Sequence, residues 1–316
     1  NNTIFNFALI LLFFSAISFY LVLDSFAGLI VVNTTLGIGL SLVLPYIEVI
    51  ALTHIGKERY GKIRLYGSVG FIVVALLLVQ VLDNSYVAIS FLVFVTFFTS
   101  IFGYLIVKNE EPHHSSKTTT TSKLNILNDW KLWLGLLLMQ VGFGAYYNFF
   151  TIYETAHNIS LDMSVYLWTF GVIIEIVMLY TQAPILKLNL LHVLQFTTFA
   201  TAIRWFMLYY FPTDLHMIFL SQTIHALSFA LFHSAAISYL FILYQNKKLA
   251  QQFFFGICYG LGGFIGAIGS GYVYDYSPEN LFLYASAVAL LSWFFLTIHK
   301  DKALHVEEKL ISTCNE

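Results

Sequence analysis

The chain has 316 residues, of which 59% are hydrophobic, 18% aromatic and only 10% charged, whereas a soluble domain is roughly one-quarter charged; this composition belongs to a multi-spanning membrane protein. A net charge of −2 argues against a nucleic-acid partner, and two cysteines, Cys258 in an apolar run and Cys314 in the tail, supply no disulfide framework. The first apolar run is long enough to span, so it is not a signal peptide, and a start at Asn1 without methionine reads as a fragment.

Apolar runs of about 20 residues predict ten membrane helices, at 4–23, 26–52, 65–82, 86–107, 130–153, 163–185, 190–211, 215–244, 252–274 and 280–298. The basic residues test this series. Lys57, Arg59, Lys62 and Arg64 surround the second connection, and Lys108, Lys117, Lys123 and Lys131 bracket the fourth. Lys187 lies in the sixth, Lys247 and Lys248 in the eighth, and Lys300, Lys302 and Lys309 in the tail. The other connections carry no Lys or Arg. Fourteen of the fifteen basic residues thus fall on one side, cytoplasmic by the positive-inside rule, which places the C-terminus in the cytoplasm. The fifteenth is Arg204.

Four spans form a partial N-terminal bundle at 1–107, and six form a C-terminal bundle at 130–299, followed by a tail at 300–316. The Ser/Thr-rich segment 108–129 between them is a polar linker, and its His113 and His114 read as solvated rather than metal-binding. "YGSVGFI" at 66–72 and "YGLGGFI" at 259–265 lie six spans apart, each after a basic loop. With the linker position, they suggest two six-helix repeats, the first lacking two helices of an inferred twelve. Gly256, Gly260, Gly263, Gly266, Gly269, Ser270 and Gly271 are expected to let the ninth span approach a neighbour closely, with a hinge as the other reading.

Three ionisable residues lie near mid-membrane on consecutive spans. At 1.5 Å per residue, Glu175 is ~18 Å from the outer end of its span, Arg204 ~21 Å from the inner end of the next, and His225 ~15 Å from the outer end of the third. A lone charge at that depth costs about 2.5–3.5 kcal/mol or more, so Arg204 is expected to pair with Glu175. His225, which titrates near neutral pH, is expected to complete a proton-coupling group. A purely structural ion pair is the alternative. Gln222 shares the face of His225, and Gln140, Tyr146, Tyr147 and Asn148 on the fifth span are candidates to line a cavity, the tyrosines being otherwise interface anchors. His233, eight residues after His225, cannot share a metal with it and reads as a core histidine or a ligand contact. Glu48 either pairs with Arg64 or snorkels. Glu154 and Asp24, near the outer boundary, are expected to be solvated.

"YGKIRLYGSVGF" at 60–71 resembles a helix-5 signature of the 3-phenylpropionate permeases of the major facilitator superfamily. "GAYYNFFTIY" at 144–153, "YLWTFGVIIE" at 166–175, "AIRW" at 202–205 and "IHALSFALFHSAA" at 224–236 fit the same family in order. The chain is more distantly similar to lactose permeases, proton-coupled sugar symporters. That likeness implies sugar-type contacts at Arg64 and equates Arg204 and His225 with functional residues. It departs where Ser228 replaces a carboxylate and where Glu175 is about one turn out of place.

The resemblance implies an all-α major facilitator fold and secondary active transport, by proton symport, of a small organic solute at the cytoplasmic membrane. An aromatic carboxylic acid comes first, and a sugar or nucleoside is the alternative. Substrate contacts fall to Arg204, Arg64, Glu48, Gln140, Tyr146, Tyr147, Asn148, Gln222 and His233. The expected partners are substrate, proton and lipid, with a monomeric protein, no cofactor and no metal. A membrane-embedded enzyme using His225 and Glu175, and a non-transporting fragment, are the rivals from other classes.

Overall fold

The computed structural model describes residues 2–81, 84–109 and 126–301. Among them the regular structure is helical: α1 (Asn2–Val22), α2 (Phe26–Ile55), α3 (Lys57–Val81), α4 (Ser85–Asn109), α5 (Trp130–Ala156), α6 (Leu161–Thr181), α7 (Leu190–Tyr210), α8 (Leu215–His225), α9 (Phe232–Leu243), α10 (Lys247–Phe253), α11 (Gly263–Tyr276) and α12 (Leu281–Thr297). A π-helical segment, Ala226–Leu231, joins α8 to α9, and another, Phe254–Gly262, joins α10 to α11. Each of these joined runs is one membrane-length rod, so the described residues contain ten rods at the expected places. Eight of them are long and apolar enough to cross a membrane. The other two, α5 and α7, are long enough but less apolar, because polar residues and Trp and Tyr interrupt their apolar runs. Residues 110–125 of the expected linker, with His113 and His114, and tail residues 302–316 lie outside the described residues.

Two boundaries differ from expectation for local reasons. Gly56, at φ 77°, turns the chain from α2 straight into α3, so Lys57 to Arg64 form the first turns of a helix rather than a loop. The eighth span is interrupted by a π segment, where the Ser228 hydroxyl donates to the His225 carbonyl at 3.1 Å. The side-chain caps Ser160, Asn189, Asp214 and Asn246 start α6, α7, α8 and α10.

The described chain groups into two compact units, residues 2–51 with 70–109, and residues 52–69 with 126–301. In the first, α1 packs on α4. Its core joins Phe5, Ala8 and Leu9 of α1 to Val43 and Tyr46 of α2 and Val107 of α4.

The second unit is built around α5. Leu132, Leu136, Met139, Phe143, Tyr146, Phe150 and Tyr153 recur every three or four residues and are all buried, forming one continuous inward stripe. This helix packs on α11 and α12, α7 packs on α12, α8 and α9, and α6 packs on α8 and the first π segment. At the α5–α11 crossing, a Cβ on Gly144 would collide with the Gly266 backbone, and one on Gly266 with the Val141 carbonyl. Gly256, Gly263 and Gly269 face open space, so close approach accounts for only part of the expected glycine stripe. Gly266→Leu is expected to destabilise the unit by about 1–3 kcal/mol, measured as a lower unfolding temperature in detergent, whereas Gly269→Leu leaves it unchanged.

Candidate functional site

The second unit buries a polar cluster on consecutive rods. Arg204 is 0% exposed, although α7 is otherwise apolar around it. Its Nη1 donates to Ser228 Oγ at 3.1 Å and its Nη2 to Gln222 Oε1 at 3.0 Å. The guanidinium carbon lies 4.3 Å from the centroid of the Tyr146 ring and 4.4 Å from that of Trp205. Arg204 is therefore held by two neutral oxygens and two aromatic faces. A guanidinium only donates, which fixes the Gln222 amide with its oxygen inward. The same oxygen accepts the Tyr146 hydroxyl at 3.0 Å.

Glu175 engages other partners. Its Oε1 accepts the Ser68 hydroxyl at 2.7 Å, and its Oε2 lies 3.6 Å from His225 Nε2, an ion pair whenever the imidazole is protonated. The His225 ring stacks on Phe229 at 5.5 Å and lies 5.6 Å from Tyr146. The expected Arg204–Glu175 pair is thus not formed. Among the described residues no carboxylate oxygen lies within ion-pairing distance of Arg204. The physical reason is that α8 and the π segment supply neutral acceptors to the arginine, while α3 and His225 take the carboxylate. Glu175, Arg204 and His225 still share one cluster, linked through Tyr146 and Gln222.

Several buried donors in this cluster have no acceptor among the described residues: Arg204 Nε, Trp205 Nε1 and Gln222 Nε2, with His225 Nδ1 also unpartnered. Uncompensated buried N–H groups are costly, so these atoms are complementary to an acceptor-rich guest. Gly171 makes room beside them. A Cβ there would lie 3.1 Å from Gln222 Oε1 and 3.5 Å from the His225 ring. Gly171→Val is expected to displace both side chains and to destabilise the unit by about 1–3 kcal/mol, measured as a lower unfolding temperature in detergent.

The remaining candidates are dispersed. Gln140 is buried against Gly262, and Tyr147, 46% exposed, stacks on Phe143 at 5.3 Å. Asn148 donates to the Gly144 carbonyl one turn back at 2.8 Å. His233 Nδ1 is 2.6 Å from the Tyr259 hydroxyl, in a contact of its own with the second π segment. Glu48 is buried on α2 in the first unit, and Arg64 is half-buried on α3 in the second. Asp24 is exposed, but Glu154 is 0% exposed, against the expectation that it is solvated. The cause is that α5 continues to Ala156, which puts Glu154 on the inward stripe with Tyr146 and Phe150. Ser68, Trp205 and Ser228 were not among the site candidates. Ser68 stands inside the "YGSVGFI" motif and Trp205 inside "AIRW", but a serine or tryptophan in an apolar helix carries no charge to draw attention.

The sequence profile of the MFS_1 like family matches residues 2–284. The chain belongs to the MFS_1 like family. It is 26% identical over 252 residues to the probable 3-phenylpropionic acid transporter of Escherichia coli K12, covering 74% of this chain and 64% of that protein. It is 25% identical over 299 residues to the uncharacterized transporter YwbF of Bacillus subtilis 168, covering 90% of this chain and 73% of that one. The chain therefore spans just under two-thirds of the length of the first of these relatives. The E. coli fucose:proton symporter FucP superposes with a TM-score of 0.66 at 14% identity, over 94% of this chain and 83% of FucP, which establishes a major facilitator fold. A multi-pass membrane protein of this fold follows from the helices and the family together.

Proposed function

We propose that the protein is a secondary active transporter that carries a small aromatic carboxylic acid together with a proton. The observation that carries this reading is a fully buried arginine that, among the described residues, has no carboxylate partner and an unpaired Nε, with unpaired Trp205 and Gln222 donors beside it. A substrate carboxylate supplies the missing charge and acceptors, and Tyr146, Trp205, Phe143 and Trp168 surround the position with rings. The named substrate of the E. coli relative, 3-phenylpropionic acid, combines the same two features. Glu175 and His225 are the proton-holding pair in this reading, because they face each other and take no part in holding Arg204. The cluster is closed to water, so substrate enters after helices part, as alternating access requires.

The experiment is uptake by proteoliposomes of labelled 3-phenylpropionate, fucose and uridine with an imposed pH gradient, with and without a protonophore. Accumulation of the acid alone, abolished by the protonophore, supports the proposal. Accumulation of sugar or nucleoside instead replaces the substrate class, and uptake insensitive to the protonophore removes the proton.

A further inference from the structure

Glu154 lies within the last turn of α5, beside the α5–α6 connection, which carries no Lys or Arg. Its side chain is shut off from solvent, and both carboxylate oxygens lack a hydrogen-bond partner among the described residues. The nearby donors are committed elsewhere. The N–H groups of His157, Asn158 and Ile159 close the helix end on the carbonyls of Tyr153, Glu154 and Thr155, and the Tyr153 hydroxyl donates to the Leu208 carbonyl at 3.4 Å. The ionisable groups at this end include Tyr153 on α5, His157 just after it, Asp162 on α6, Tyr209 on α7, Asp214 and His216 at the start of α8, Asp275 on α11 and Glu279 before α12. His157 and His216 are the ones that can become cations, and the His157 Nδ1 sits 2.8 Å from the Tyr153 carbonyl.

A carboxylate deprived of water, donors and counter-ion is far less stable than the acid in the same place, so this geometry accommodates Glu154 with a bound proton. We propose that Glu154 is a second proton-binding site, separate from Glu175 and His225 and loaded from the side on which the connections lack Lys and Arg. The use of that proton in transport rests on the proton-coupled reading above. Tyr146, Phe150 and Glu154 repeat every four residues on one face of α5, so Glu154 lies ~12 Å along the helix from Tyr146. Tyr146 in turn donates to Gln222 within the Arg204 cluster. Fully buried Phe150 stands between them. A proton arriving at Glu154 therefore advances only when the helices part, which makes the site a gated port rather than a leak. The chemistry is one proton transfer: the carboxylate accepts a proton from water, becomes the neutral acid, and later returns it.

The test uses the full-length protein in proteoliposomes. Glu154→Gln, which imitates the neutral acid, is expected to exchange labelled 3-phenylpropionate across the membrane at close to the wild-type rate. Its accumulation under an imposed pH gradient is expected to be lost. Infrared difference spectra between acid and alkaline media are expected to contain a protonated-carboxyl band in the wild type that E154Q lacks. Undiminished accumulation in E154Q, or identical carboxyl bands in both proteins, overturns the proposal. Should E154Q not reach the membrane, Glu154→Leu takes its place with the same expectations. If the wild type does not carry the acid at all, the substrate reading fails, and the infrared comparison alone decides whether Glu154 binds a proton.

Discussion

Arg204→Gln is expected to abolish uptake of the labelled acid, and Arg204→Lys to lower it by about 30-fold or more, with both variants present in the membrane at wild-type level. Removing one partner of a buried, hydrogen-bonded charge contact costs about 2–5 kcal/mol, equivalent to about 30- to 5,000-fold in affinity. Lysine keeps the charge but not the fork. Two diverging N–H groups hold Ser228 and Gln222 while a third, Nε, is left for a guest, and one ammonium on a flexible stem cannot reproduce that division. The planar cation also lies against Tyr146 and Trp205, a contact that a compact ammonium makes less well. The measurement is initial uptake rate as a function of substrate concentration. An effect confined to KM marks Arg204 as a binding group, whereas wild-type kinetics in Arg204→Lys remove the fork from the account.

Glu175→Gln is expected to separate movement from coupling. One acid anion travelling with one proton is electroneutral, so a pH difference of one unit drives about tenfold accumulation, or about 1.4 kcal/mol. With a side chain that cannot ionise facing His225, accumulation is expected to fall to equality across the membrane while exchange of labelled for unlabelled acid persists. The glutamine still accepts the Ser68 hydroxyl, which now holds Glu175 at 2.7 Å, so the local packing is preserved. Ser68→Ala tests that contact from the other side, and Thr at the same position restores the donor. Accumulation by Glu175→Gln at the wild-type ratio would show that the Glu175–His225 pair does not carry the coupled proton.

The parts of this architecture that depend on transfer to lipid are legible in the sequence. Ten apolar runs, with the basic residues confined to alternate connections, become ten helical rods at nearly the expected boundaries. The depth of Glu175, Arg204 and His225 also follows from counting residues along their helices, and the three do gather in one cluster. What counting cannot supply is rotation about the helix axis and the identity of neutral partners. Arg204 looks short of a carboxylate in the sequence because glutamine, serine and two aromatic rings do not register as counterweights to a charge. In the fold they surround it and leave Glu175 to His225 and Ser68. Glu154 shows the same limit. Three more residues of helix beyond the expected end of α5 carry it from a solvated boundary onto the buried stripe. The π segment after His225 is equally invisible to periodicity, yet it presents Ser228 to Arg204.

The central claim is that Arg204 awaits a carboxylate. Equilibrium binding to the purified full-length protein tests it most directly, using 3-phenylpropionate and the uncharged alcohol of the same carbon skeleton as paired probes. The account predicts that the wild type binds the acid and not the alcohol, and that Arg204→Gln binds neither. Equal binding of acid and alcohol by the wild type, or undiminished binding of the acid by Arg204→Gln, would contradict it.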